Sequence, residues 1–154
     1  MIGIVVITHG TLAETLVETA TMIMGVQENL FTITFLARDS IESLQEKLHK
    51  AVQPFLDSGC LILTDILGGS ASNICYDYLQ EEYVQIITGV NLPMLIEALN
   101  FKNQFSVAEL GQKVQAGGTN GIINIKEFFE KRKAASKKTS KKSAPQAPTG
   151  EGDI

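Results

Sequence analysis

Residues 3–11 read GIVVITHGT and set a histidine, His9, directly behind an unbroken aliphatic run. Asp65 stands in the same place behind a second such run, CLILT at 60–64, and a Gly68-Gly69-Ser70 turn follows it. An unperturbed imidazole, with a pKa of about 6.5, is largely neutral near pH ~7 and can be a nucleophile. A carboxylate bonded to one ring nitrogen fixes the tautomer and turns the lone pair of the other nitrogen outward. It also stabilises the cation that forms as the ring is charged. Helices that begin after Gly10 and after Gly69 would aim backbone N–H groups at one space, which suits an anion and phosphate above all. The Ser70 hydroxyl is a further donor. Together these residues suggest phosphoryl transfer through a phosphohistidine, with His9 as nucleophile, Asp65 as its orienting partner, and Gly10, Gly69 and Ser70 binding the phosphoryl group. The plain alternative is a core histidine satisfied by Asp65. GGSAS is not a Gly-x-Ser-x-Gly nucleophile elbow, no Gly-Lys-Ser/Thr makes a P-loop, and no metal-ligand set or cofactor is implied.

Strand ends bring such groups together only in one kind of scaffold. Ile4 to Ile7 and Leu61 to Leu63 are apolar without alternation, the pattern of strands covered on both faces. LFTITF at 30–35 and YVQIITG at 83–89 read as two more strands, and IINI at 122–125 as a short last one. Between them lie helical patterns. Thr11 and Glu14 form a capping-box pattern ahead of Leu12, Leu16, Ala20, Ile23 and Met24, with Gly25 as the stop. Asp39 and Glu42 repeat it ahead of Ile41, Leu44, Leu48, Val52 and Phe55, and Pro54 ends or kinks that helix. Ser70 and Ser72 are candidate caps for a helix over roughly 73–79. Asn91 caps another with Pro93 in its first turn, and Ser106 with Glu109 opens one that closes near Gly117-Gly118. EFFEK begins a terminal helix. His49 falls in the second helix, where an exposed, passive place is expected.

Strands alternating with helices over short links predict a mainly parallel sheet with helices on both faces. A flavodoxin-like three-layer α/β fold follows, with strand order 2-1-3-4 and a fifth strand at an edge. Its switch point lies between strands one and three, whose ends carry His9 and Asp65.

The chain has 154 residues, enough for one domain with a substantial core. Its charge is split. Residues 1–130 hold 6 Lys+Arg against 15 Asp+Glu, whereas 131–154 hold 7 against 2. An acidic folded part argues against nucleic acid as a partner. The Lys/Ser/Ala/Pro-rich stretch 131–154 is expected to be a disordered tail, with residues 1–130 as the domain. No apolar run approaches a membrane span, and the start lacks a basic signal-peptide region. Cys60 and Cys75 have no CxxC spacing and read as buried free thiols, in keeping with a reducing, cytoplasmic location.

The motifs THG at 8–10, DILGGSASN at 65–73 and TGVNLPMLIEAL at 88–99 stand in an order and spacing that resembles the IIA domain of the mannose-type sugar phosphotransferase system. The likeness covers roughly residues 1–130. It implies that His9 is phosphorylated, that Asp65 orients it, that Ser70 with the Gly69 turn binds the phosphoryl group, and that the GVNLP loop at 89–93 shapes the site. It also implies HPr as the phosphoryl donor and a IIB component as acceptor, with membrane contact only indirect, through a permease. It further implies a homodimer that exchanges its edge strand, a use for IINI at 122–125. The chain ends without a fused IIB domain, so a separate IIB protein is expected. Leu67 stands where some transporting members have tryptophan, and the SASN segment lacks the proline they often carry; neither touches the chemistry. Three rivals share features. A response-regulator receiver phosphorylates an Asp at the place of Asp65 but needs an acidic pair after strand one, where Thr8-His9-Gly10 stands. A phosphocarrier subunit of dihydroxyacetone kinase fits the GGS turn and GVNLP loop less well. A regulatory module would use the phosphohistidine to control a partner rather than sugar uptake.

Overall fold

The computed structural model describes residues 1–142. A four-stranded parallel sheet forms its centre, in the order β2-β1-β3-β4. The strands are β1 (Gly3–His9), β2 (Leu30–Phe35), β3 (Cys60–Thr64) and β4 (Val84–Thr88). β1 and β3 are buried along nearly their whole length, as their unbroken aliphatic sequences require of central parallel strands. The alternation of side chains across the pleat divides the core in two. Ile4, Val6, Leu61 and Leu63 face α1 (Leu12–Met24), α4 (Leu92–Phe101) and α5 (Val107–Asn120). Val5, Ile7, Cys60 and Ile62 face α2 (Ile41–Val52) and the one-turn α3 (Ser70–Asn73). The α/β sandwich and its strand order are as the sequence predicts.

Several local expectations are corrected. No strand forms at 122–125. Residues 122–124 are irregular and Ile125 opens α6 (Ile125–Lys142), so the sheet has no fifth strand among the described residues. α6 carries regular structure to Lys142, into the stretch expected to lack it; residues 143–154 of that stretch lie outside the described residues. Alanine and the straight-chain Lys and Arg are good helix formers, and they fill that stretch. The compact unit runs from Met1 to Gly121, and Ile122 onward forms a unit of its own.

Capping differs as well. Thr11 makes no side-chain cap, because the buried Thr8 hydroxyl at the end of β1 accepts from the Ala13 amide at 2.8 Å instead. α1 then buries Ala13 and Ala20, with Leu16, Val17 and Met24 packed beside them, and leaves Leu12 and Ile23 exposed. Ser40 rather than Asp39 caps α2, accepting from the Ser43 amide, while the Asp39 carboxylate accepts from Leu36. The third helix starts at Ser70 with Gly69 as its cap and gives way to a 3-10 turn over Ile74–Tyr78. The expected capping box of Ser106 and Glu109 is present, as is the Asn91 cap.

α5 does not stop at Gly117-Gly118 but continues to Asn120. Those glycines serve the α4 contact. A Cβ on Gly118 would lie 2.3 Å from Met94 Cγ, and one on Gly117 2.3 Å from Glu97 Cγ. Bare backbone is therefore what lets α4 and α5 approach, which outweighs the weaker helix propensity of glycine.

Candidate functional site

The carboxyl ends of β1 and β3 lie side by side, with Ile7 paired to Thr64, and the two residues of interest emerge just beyond. Asp65 Oδ2 accepts from the His9 backbone amide at 2.8 Å and meets His9 Nδ1 at 2.9 Å. Its other oxygen, Oδ1, accepts from the Ile66 amide at 2.9 Å. Burial by itself raises the Asp65 carboxyl, but the bonds from the His9 amide, the His9 ring and the Ile66 amide outweigh it and hold the group below the ordinary aspartate range. An ionised carboxylate only accepts, so Nδ1 carries the proton and Nε2 carries the free lone pair. The Asp65 side chain is 14% exposed and that of His9 41%, so the acceptor is sheltered while the ring is reachable.

Two neighbours fix the ring plane. Phe35, the register partner of His9 on β2, sets its ring edge-on at 5.7 Å between centroids. On the other side lies Gly69, where a Cβ would come within 2.7 Å of His9 Cε1 and 3.4 Å of Nε2. The glycine turn thus brings its backbone directly against the imidazole edge that holds the lone pair. Gly68, just before Gly69, sits at φ +80°, a conformation that side chains rarely adopt. Ser70 follows, half-buried, and its hydroxyl forms no hydrogen bond within the described residues.

Gly10 has a different part from the one its sequence position suggests. Its amide donates to the Phe35 carbonyl at 2.9 Å and is committed to the sheet. What it contributes is the left-handed turn, φ +59°, that swings the chain from β1 into α1. Ser72 is buried within α3, and its hydroxyl donates to the Gly69 carbonyl at 2.9 Å, bracing the glycine turn from below.

The GVNLP loop reaches the site through the backbone. Gly89 donates to the Asp65 carbonyl and Val90 to the Thr64 carbonyl, both at 3.0 Å. Asn91 then caps α4 through the Met94 amide at 3.0 Å and donates to the Gly118 carbonyl at 3.2 Å, tying the loop to α5. His49 lies in α2 on the surface, its Nδ1 3.5 Å from the Tyr78 hydroxyl, apart from this constellation. Cys60 and Cys75 are free and buried, and burial pushes each thiol up to about 12, which keeps both protonated and inert.

Sequence reasoning names His9, Asp65 and Gly69, which lie against one another, and Ser70, which follows Gly69 at the start of α3. It does not find Thr8, Phe35 or the Ile66 amide. Phe35 depends on strand register, which no local pattern encodes.

Residues 3–115 match the family EIIA-man, described as the PTS system fructose IIA component. The chain is 30% identical over 141 residues to the PTS system fructose-specific EIIA component of Bacillus subtilis (strain 168), covering 90% of this chain and 97% of that protein. It is 38% identical to the PTS system mannose-specific EIIAB component of Escherichia coli (strain K12), with 99% of this chain matched to 49% of that protein, so it spans about half that relative's length. The crystal structure of phosphotransferase system component EIIA from Streptococcus agalactiae superposes with a TM-score of 0.77 at 29% identity, over 82% of this chain and 99% of that one. A matched parallel sheet, a family match across most of the compact unit and relatives of these kinds agree with one another: the chain belongs to the mannose-type IIA family of the sugar phosphotransferase system.

Proposed function

We propose that the protein is a phosphoryl carrier in which His9 Nε2 accepts a phosphoryl group from phospho-HPr and hands it to a IIB component. The observation that carries this reading is the ring geometry: Nδ1 bonded to Asp65 at 2.9 Å, and the Cε1–Nε2 edge set against Gly69. In the transfer, the donor's N–P bond breaks as the Nε2–P bond of His9 forms, and the donor imidazole keeps the electron pair. The Nδ1 proton stays between His9 and Asp65, whose negative charge offsets the positive charge developing on the ring. The Ser70 hydroxyl and the backbone of the Gly69 turn bind the phosphoryl oxygens. The second transfer reverses these roles, with the acceptor's nucleophile attacking phosphorus and His9 as leaving group.

The carrier works as a homodimer in this reading. β4 has no strand beyond it among the described residues, and Ile122 and Ile123, 79% and 54% exposed, are available to pair with the edge of a second copy. A strand that forms only in trans would not be present in a single chain.

The test incubates the protein with phosphoenolpyruvate, enzyme I and HPr and follows its mass before and after mild acid. A phosphate gained through HPr, lost in acid and kept in base is the expected result. His9→Gln abolishes the gain while the circular-dichroism spectrum and melting transition are kept; a His9→Gln protein that still takes up phosphate would refute the assignment. Label that comes from a small acyl phosphate and is removed by base would move the chemistry to Asp65.

A further inference from the structure

The phosphocarrier reading gives no task to α6. It is an 18-residue helix whose residues 125–139 are all exposed. Its composition is lopsided. Residues 122–142 hold eight Lys+Arg against Glu127 and Glu130, and from Lys131 to Lys142 there is no acidic residue. The compact unit, residues 1–121, is acidic, with 5 Lys+Arg against 13 Asp+Glu.

The charges have a pattern. At 3.6 residues per turn Ile125, Phe128 and Phe129 fall on one face, exposed by 69%, 44% and 53%. Arg132 continues that face, its guanidinium 5.6 Å above the Phe128 ring. Lys126, Lys131, Lys133, Lys137 and Lys138 flank it on both sides. Apolar and aromatic residues at one end of a helix, edged by lysines that can extend past them, match the requirements of the boundary between lipid headgroups and acyl chains.

We infer that α6 binds anionic phospholipid surfaces, holding the acidic carrier domain at the membrane. The apolar residues enter the interface and the flanking cations meet lipid phosphates. A lipid surface accepts charges spread around half a helix, whereas a folded partner would need acidic groups matched to each of them. The acidic unit is repelled by the same surface, so adsorption is confined to α6. The use of this device rests on the phosphocarrier reading, in which the acceptor serves a permease and would be met near the membrane; the binding itself does not depend on it.

The experiment co-sediments the full chain with vesicles of phosphatidylcholine alone and of phosphatidylcholine with phosphatidylglycerol. Binding is expected to the anionic vesicles only, and to be lost at about 0.5 M salt, where the Debye length falls toward ~4 Å. Each cation near the surface strengthens binding by about fivefold. The triple variant Lys131→Gln, Lys133→Gln, Lys138→Gln should therefore bind roughly a hundredfold more weakly, with helix content kept because glutamine is a good helix former. Phe128→Ser tests the apolar contact and should weaken binding at every salt concentration at which the parent chain binds. Equal binding to neutral vesicles, no binding to anionic ones, or a triple variant that binds like the parent would overturn the proposal. So would tighter binding to an RNA homopolymer than to the vesicles, or salt-sensitive self-association without vesicle binding, which would assign α6 to nucleic acid or to a second copy. Phosphoryl uptake on the same preparations separates the two readings: vesicle binding without uptake would sink the phosphocarrier reading alone.

Discussion

One carboxylate organises the site by meeting three donors at once. Asp65 serves the His9 amide, the His9 ring and the Ile66 amide, so it holds both the strand end and the imidazole tautomer. Asp65→Asn keeps the shape but can present its amide nitrogen to Nδ1, which favours the wrong tautomer. Phosphoryl uptake by that variant is expected to slow by between tenfold and ~10⁴, measured as the single-turnover rate from phospho-HPr. The same variant checks a pH effect. Because the folded carboxyl titrates below its unfolded value, its contribution to stability is complete above the ordinary aspartate pKa of about 3.9 and is lost as pH falls through the lower folded value. Parent and Asp65→Asn melting curves should therefore differ near neutral pH and converge in acid. Gly69→Ala probes the other side of the ring. Its new methyl would lie 2.7 Å from His9 Cε1, and the half-exposed imidazole is what gives way. Uptake should fall by about 10²-fold with little change in melting temperature. An unchanged rate would mean that the turn does not position the ring.

At the scale of elements, the site is tied to α4 and α5 through the GVNLP loop. Asn91 joins the GVNLP loop to α4 and α5, and that loop donates to the Asp65 carbonyl. Close packing of α4 on α5 makes the arrangement rigid, and it depends on glycine at 117 and 118. Gly118→Ala gains up to ~1 kcal/mol of helix propensity but drives a Cβ into the buried Met94 side chain. Overpacking of this kind costs about 1–3 kcal/mol. A lowered midpoint in urea denaturation is expected, and an unchanged or raised one would show that α4 can move away freely.

For the molecule as a whole, the open edge of β4 and the exposed Ile122 and Ile123 are the features a second copy would cover. Ile123→Glu places a charge where that pairing would bury it. Sedimentation equilibrium should show a dimer for the parent chain and a monomer for the variant; a monomeric parent would leave the edge strand without its proposed use. This interface and the proposed membrane contact of α6 use different residues, 122–123 and 125–138, so one variant should not impair the other function.

What the sequence determined by itself was the pattern with a period. Unbroken aliphatic runs require central parallel strands, helical spacing fills the links between them, and that alternation leaves little freedom in topology, so His9 and Asp65 had to meet. The GGS turn, the Asn91 cap and the Ser106–Glu109 box were legible for the same reason, being local chemistry between near neighbours. Tertiary structure alone decided the rest. Thr8 rather than Thr11 serves α1, because the strand end brings a buried hydroxyl to the Ala13 amide. The Gly10 amide is used by Phe35 across the sheet, which sequence could not disclose because register sets it. Glycines read as a helix end became a packing surface once α4 lay against them. IINI has the composition of a strand but joins no sheet among the described residues, and β propensity is realised only in pairing with another strand. Local preferences propose conformations; the contacts that choose among them come from residues far away in the chain.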